Sequence, residues 1–289
     1  MDKKYHNIWY ISHNEIYSFI KANNIQVTDY TFEKYFDYIV SKYNIKVIEH
    51  HFENDLILGL TMIDELGFSL SYEKESILTR QNFTKCHEIG HIILNHKGSV
   101  FTELEENRKP IELEADYFAS ILLAPDIVLL NHILYENLNF KEISNKLQIS
   151  HKALSIRLRQ FIEKYSNISF HKANGIVSSF KANTSYRIKL LQFLKFYEKD
   201  ILQNYKSIKT NPITKFEYLN YSNKIITSLV LKEIENLPFR NIIKNKYPSI
   251  KFWAYHNKGI TIWYAWDTTK ITDTLAHQEA KNILLLMTS

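Results

Sequence analysis

The sequence predicts an α+β protein, and three observations predict it. Short runs rich in β-branched and aromatic residues cluster between positions 46 and 74. Stretches with apolar residues at helical spacing lie on both sides of that cluster. A second pair of strand-like runs recurs near the C-terminus. With 289 residues the chain is long enough for about two domains. Its 45% hydrophobic and 23% charged residues suit a globular protein with a buried core.

Taken in order, "TFEKYFDYIVSKYNI" (31–45) carries apolar residues at helical spacing and reads as a helix. "KVIEHHF" (46–52), "LILGLTMI" (56–63) and "FSLSYEK" (68–74) read as strands, with "DELG" (64–67) as the turn between the last two. Thr84 is a candidate cap for a helix reaching His96, followed by a charged, irregular stretch over 97–110. Pro110 suits the first turn of the next helix, where its missing N–H costs nothing, and that helix ends before Pro125. Residues 138–165 read as two helices joined at Gln148–Ser150. A long amphipathic helix (184–206), a hairpin over 250–266 turning at Asn257–Gly259, and a final helix (272–287) complete the chain.

Charge supplies a domain boundary. Residues 1–165 carry 18 Lys/Arg against 23 Asp/Glu, whereas 166–289 carry 18 against 8. The expected division is therefore 1–137, a helical hairpin at 138–165, and a basic α+β domain at 166–289. Cys86 is the only cysteine, so no internal disulfide forms and a reducing, cytoplasmic setting is expected. No apolar run approaches the ~18 residues of a membrane span. The start, "MDKKYHNIWYISHNEIYSFI", is broken by His, Asn, Ser and Glu and lacks the apolar centre of a signal peptide. No membrane partner is expected.

The chemistry lies in "TKCHEIGHIILNH" (84–96). His87 and His91 are four apart, so on a helix they project from one face and reach a single ion. Glu88, one position round from His87, can reach a water on that ion as a general base. A third ligand six positions after His91 would be at 97, where Lys97 stands. His96 is one position short and is read as structural. "ELEAD" (112–116) offers the alternative: Glu112 as third ligand, with Asp116 on the same face hydrogen-bonded to a ligand histidine. Glu114 is the rival ligand, but it lies about 160° from Asp116 on a helix of 3.6 residues per turn and is expected to face solvent. One Zn²⁺ is the expected cofactor.

"TRQNFTKCHEIGHIILNH" (79–96) followed by "IELEADYFASILLAP" (111–125) resembles the ImmA/IrrE zinc metallopeptidases. The resemblance covers roughly residues 30–165. It implies a zincin-like domain with a small antiparallel sheet and an HExxH helix. It also implies His87, His91 and Glu112 as zinc ligands, Glu88 as the catalytic base, and Asp116 at a position often held by Asn or Asp. Lys85-Cys86 departs from the small apolar residues usual there, and Cys86 reads as a buried small residue. Family members act in the bacterial cytoplasm or on mobile elements, cleaving a helix-turn-helix repressor. That repressor is the partner the resemblance implies.

"FKEISNKLQISHKALSIRLRQF" (140–161) is similar to the helix-turn-helix segment that follows such a core. Its second helix would present His151, Lys152, Ser155, Arg157 and Arg159 to nucleic acid. A helix-turn-helix shape is not itself DNA binding, so packing on the peptidase is the favoured reading. The basic half interleaves Trp253, Tyr255, Trp263 and Trp266 with Lys251 and Lys258, and the aromatics are expected mainly in a core. Its place in the chain is similar to that of the GAF-like sensor of IrrE-type regulators.

Overall fold

The computed structural model describes residues 3–51, 57–65, 67–103, 109–166, 168–182 and 188–288. The expected strand ends at 52 and 56, the charged positions 104–108 and the expected helix start at 184 lie outside the described residues. The first helix, α1 (Lys3–Ala22), turns Ile8, Trp9, Ile16, Tyr17, Phe19 and Ile20 inward. Ser12 and His13 interrupt that apolar face in the sequence and hide the helix there. In the fold both are buried and bond the turn below them: Ser12 donates to the Ile8 carbonyl and His13 Nδ1 to the Trp9 carbonyl, each at 2.7 Å.

Helix α2 (Phe32–Lys42) leads into a four-stranded sheet of β1 (Lys46–His50), β2 (Gly59–Asp64), β3 (Gly67–Glu73) and β4 (Val100–Glu103). The order is β1-β3-β2-β4, with β1 parallel to β3 and the other pairs antiparallel. The sheet is therefore mixed, not the antiparallel sheet expected. The tight turn after Asp64 folds β3 antiparallel onto β2. β1 runs opposite to β2, so β3, inserted between them, must run parallel to β1. Strand β4 falls within the stretch expected to be irregular; with four residues it carries too short a pattern to read.

Helix α3 (Leu78–Ile93) starts six residues before Thr84, which lies buried in mid-helix instead of capping it. No Gly or Pro between 78 and 84 stops the helix from propagating back to Leu78. Helix α4 (Pro110–Leu123) opens on Pro110 as expected, and α5 (Asp126–Leu130) follows Pro125. The helical hairpin is α6 (Phe140–Lys146) and α7 (His151–Tyr165). Asn139 and Glu142 cap α6 reciprocally, and Ser150 caps α7 by accepting from the Ala153 N–H. Gln148 occupies the left-handed region (φ 48°) in the turn, a conformation Gly adopts more cheaply. Helices α8 (Phe170–Lys181) and α9 (Ile188–Ser207) complete the run.

The chain forms two compact units, Met1–Ile20 with Asn24–Lys209 and Lys21–Asn23 with Thr210–Ser289. The charge shift near 166 thus falls inside the first unit. Residues 166–209 carry eight Lys/Arg against two Asp/Glu, and 210–289 carry ten against six, so most of the basic excess sits on α8 and α9 and their flanks. Charge reports a helix's solvent face, whereas Ala173, Val177, Phe180, Leu190, Leu194 and Ile201 on its other face decide where it packs.

The second unit contains α10 (Pro212–Ser222), β5 (Ile225–Thr227), α11 (Leu237–Lys246), β6 (Ile250–Asn257), β7 (Ile260–Asp267) and α12 (Asp273–Thr288). Its antiparallel sheet has the order β5-β7-β6. The β6–β7 hairpin turns on Lys258-Gly259 with φ of 48° and 79°, as a two-residue turn matching strand twist requires. Trp266 and Tyr264 pack with Ala276 and Ala280 of α12, and the Arg240 guanidinium lies 3.8 Å above the Trp263 ring. Trp253 is the exception, 60% exposed. Among the described residues no single helix is long and apolar enough to cross a membrane.

Candidate metal centre

Small residues bring α3 and α4 together. A Cβ on Gly90 would lie 3.2 Å from the Phe118 ring and 3.4 Å from the Ala115 backbone, so glycine and alanine set the approach of the two helices. His87 and His91, one turn apart on α3, then meet Glu112 in the first turn of α4. The Nε2 atoms of His91 and His87 are 3.1 Å apart, and Glu112 Oε2 lies 3.1 Å from His87 Nε2 and 3.4 Å from His91 Nε2. Donors bound tetrahedrally at ~2.0–2.1 Å stand about 3.3 Å apart, so this triangle has the size of one face of a zinc coordination sphere. Among the described residues His87, His91 and Glu112 form the group that could hold a metal ion.

The surroundings fit that use. An imidazole that binds through Nε2 must keep its proton on Nδ1 and needs an acceptor there. Asp116 Oδ1 lies 3.0 Å from His87 Nδ1, where the sequence spacing placed a carboxylate. His91 Nδ1 lies 2.9 Å from His96 Nδ1, and His96 Nε2 is 3.5 Å from Glu114 Oε2. Glu114 therefore turns towards His96 and not to solvent as expected; the chain after α3 doubles back and puts His96 within its reach. Burial lowers the pKa of His91, with the neighbouring His87 and His96 adding to the effect against Glu112, and so favours the neutral ring a metal needs. Burial alone would raise Glu112, but hydrogen bonds from His87 and His91 outweigh it and hold its carboxyl at about 2.

Glu88 is fully buried and outside this donor group. The Thr61 hydroxyl on β2 donates to Glu88 Oε2 at 2.5 Å. A Cβ on Gly59 would fall 2.2 Å from Glu88 Oε1 and 2.5 Å from Thr84 Cγ2, so the carboxylate occupies the space a side chain at 59 would take. Gly59 and Thr61 are site residues that the motif does not reveal; the available signal was a glycine inside a strand, which marks a close approach. Gly59→Ala is expected to displace Glu88 and to lower stability by roughly 1–3 kcal/mol. Thermal unfolding checks this, and an unchanged midpoint would show that the carboxylate is not seated against β2.

Cys86 is fully buried on α3, and burial pushes its thiol well above the ordinary range, which suits a packed small residue rather than a reactive one. On α7 only His151 and Lys152 are exposed among the five residues considered for nucleic acid. Arg157 is fully buried, because α7 turns that face onto the α4–α5 junction. Arg159 is half-buried, its guanidinium 4.4 Å above the Phe170 ring. Asn82 on α3 donates to the Gln148 carbonyl at 3.2 Å, and Ser120 on α4 donates to Gln160 on α7 at 2.9 Å. The hairpin thus packs on the core through α3 and α4. A cavity of about 940 Å³ lies among these helices, lined by Arg80, Phe83, Asp116, Lys152 and Arg159 among others.

A buried His/His/carboxylate triangle on two helices, with a further buried carboxylate beside it, is a donor set that could hold a metal ion. Residues 40–159 match the family model described as the IrrE N-terminal-like domain of a peptidase family, which supports the resemblance of this part of the chain to the ImmA/IrrE metallopeptidases. The match takes in the whole four-stranded sheet, α3, α4 and most of the helical hairpin. No curated protein and no solved structure matches the chain.

Proposed function

We propose that the chain is a zinc-dependent endopeptidase that cleaves a regulatory protein, a helix-turn-helix repressor, in a bacterial stress response or mobile-element switch in the cytoplasm. The observation that carries the catalytic part is the three-donor triangle with Glu88 beside it but outside it. A structural zinc is closed by four protein ligands, whereas a catalytic one keeps a position open; three converging donors among the described residues support the second. The repressor rests on the family resemblance. The C-terminal residues recruit that substrate or sense the activating signal.

His87, His91 and Glu112 would hold the zinc ion, which when bound would supply a Lewis acid to acidify water and polarise the scissile carbonyl. The chain's residues do the rest. Asp116 holds the His87 ring through Nδ1. Thr61 donates to Glu88 Oε2 and holds the carboxylate in place, and that carboxylate would take the proton of the attacking water and return it to the departing amine. The dry surroundings of Glu88 strengthen both transfers.

Elemental analysis of the purified full chain, beside incubation with candidate repressors, tests the proposal. The expected result is about one zinc per chain and cleavage of one repressor at a defined bond. Substoichiometric metal that zinc addition does not correct would overturn it. Salt-sensitive DNA binding without proteolysis would favour the rival reading, a DNA-binding regulator with a structural zinc.

A further inference from the structure

We propose that His96 is a positioning residue for His91, and that Glu114, through the charge it sets beside His96, and His96, through its hydrogen bond with His91, decide which ring nitrogen of His91 carries the proton. This ordering rests on the zinc site proposed above. Its origin is local. Helix α3 ends with Asn95 in the left-handed region at φ 54°. The Asn95 N–H bonds the Ile92 carbonyl at 3.1 Å, and the His96 N–H bonds the His91 carbonyl at 3.0 Å. These are the two bonds of a Schellman motif, which folds the second residue past the helix cap back over the last full turn. In most helices that contact is apolar. Here it sets one imidazole on another.

The rings of His91 and His96 meet with centroids 4.9 Å apart at 73°, and their Nδ1 atoms are 2.9 Å apart. Phe101 of β4 stacks on His91 at 4.4 Å and lies 6.2 Å from His96, which holds both rings in place. The His96 side chain is only 6% exposed, so water competes little for its nitrogens.

Two nitrogens this close share one proton. For His91 Nε2 to offer its lone pair to a metal, the ring proton must sit on Nδ1. His96 Nδ1 is then the acceptor, and the His96 proton sits on Nε2, facing Glu114 Oε2 at 3.5 Å. The reverse order would place the His91 proton on Nε2, inside the donor triangle, where it blocks the metal. The Glu114 carboxylate favours the first order. Each ligand imidazole is thus oriented by a carboxylate of α4, His87 by Asp116 directly and His91 by Glu114 through His96.

Competition for zinc against a chromophoric chelator, on the full chain, tests the ordering. His96→Phe keeps a ring against Phe101 but accepts no hydrogen bond, and zinc should bind roughly 10–100-fold more weakly. His96→Gln, whose amide oxygen can accept from His91 Nδ1, should recover most of the loss; Glu114→Gln should fall between. A packing role alone predicts the opposite ranking, with Phe tolerated and Gln not. Wild-type chain that binds one zinc, with His96→Phe binding it equally tightly, overturns the ordering and leaves the peptidase proposal standing. Wild-type chain that binds none overturns both. If His96→Phe does not fold, Glu114→Gln with wild-type affinity overturns the ordering.

Discussion

Glu88→Gln is expected to keep the fold and the proposed zinc affinity and to lose the proposed repressor cleavage by roughly 10²–10⁴-fold or more. The amide has the shape of the carboxylate, so its oxygen still accepts from the Thr61 hydroxyl and it still fits against Gly59. Glu88 is not one of the three converging donors, so the metal is untouched. What the amide lacks is an oxygen able to take a proton from the attacking water. His87→Ala is the contrasting variant, because it should lose metal and activity together. Cleavage by Glu88→Gln at a wild-type rate would remove the general base from the mechanism; loss of zinc with activity would make Glu88 a ligand.

Arg157→Met should destabilise the first unit by about 3–5 kcal/mol, the cost of leaving one charge of a buried pair uncompensated. The Arg157 guanidinium bonds Asp126 Oδ1, and both side chains are fully buried. Its Nε also donates to the Ala124 carbonyl at 2.9 Å. Asp126 Oδ2 accepts from Trp9 Nε1 and the Tyr165 hydroxyl, each at 3.0 Å, and lies 3.1 Å from His13 Nε2. One carboxylate therefore ties α1, α5 and α7 together. Chemical denaturation of Arg157→Met and of the double variant Arg157→Met/Asp126→Leu checks the estimate. The double variant should regain much of the loss, since no orphaned charge remains.

The same carboxylate carries a pH signature. Burial opposes its charge, but His13 and Arg157 outweigh burial and hold its pKa well below the ordinary carboxylate range. A depressed folded-state value means its contribution is complete above the unfolded value near ~3.9 and is lost as pH falls below that. Asp126→Asn should thus be less stable at neutral pH and show a shallower loss on acidification below about pH 4. Equal slopes for the two proteins in that window would contradict this.

The donor set was legible in the chain because HExxH spacing and the 112/116 spacing are properties of one helix each, and helix periodicity fixes which residues share a face. The three-strand core of the first sheet, the Pro110 helix start and the β6–β7 hairpin were legible for the same reason: each signal is local. Helix α1 was not, because its buried Ser12 and His13 satisfy themselves within the helix and read as polar in a list. Glu114 and Arg157 were misplaced on solvent faces for a related reason. A helical wheel knows its own helix and not the turn that folds His96 beside Glu114, or the junction that receives Arg157.

By itself, then, the sequence determined the α+β class, the shared helix faces of His87 with His91 and of Glu112 with Asp116, and the resemblance to a metallopeptidase family. Only the tertiary structure decided that β3 lies parallel to β1, that Gly59 and Thr61 seat Glu88, that His96 leans on His91, and that the first unit extends to Lys209. The division has one physical cause. Local spacing encodes a face, whereas the partner of that face is set by contacts between residues tens of positions apart, which no short pattern records.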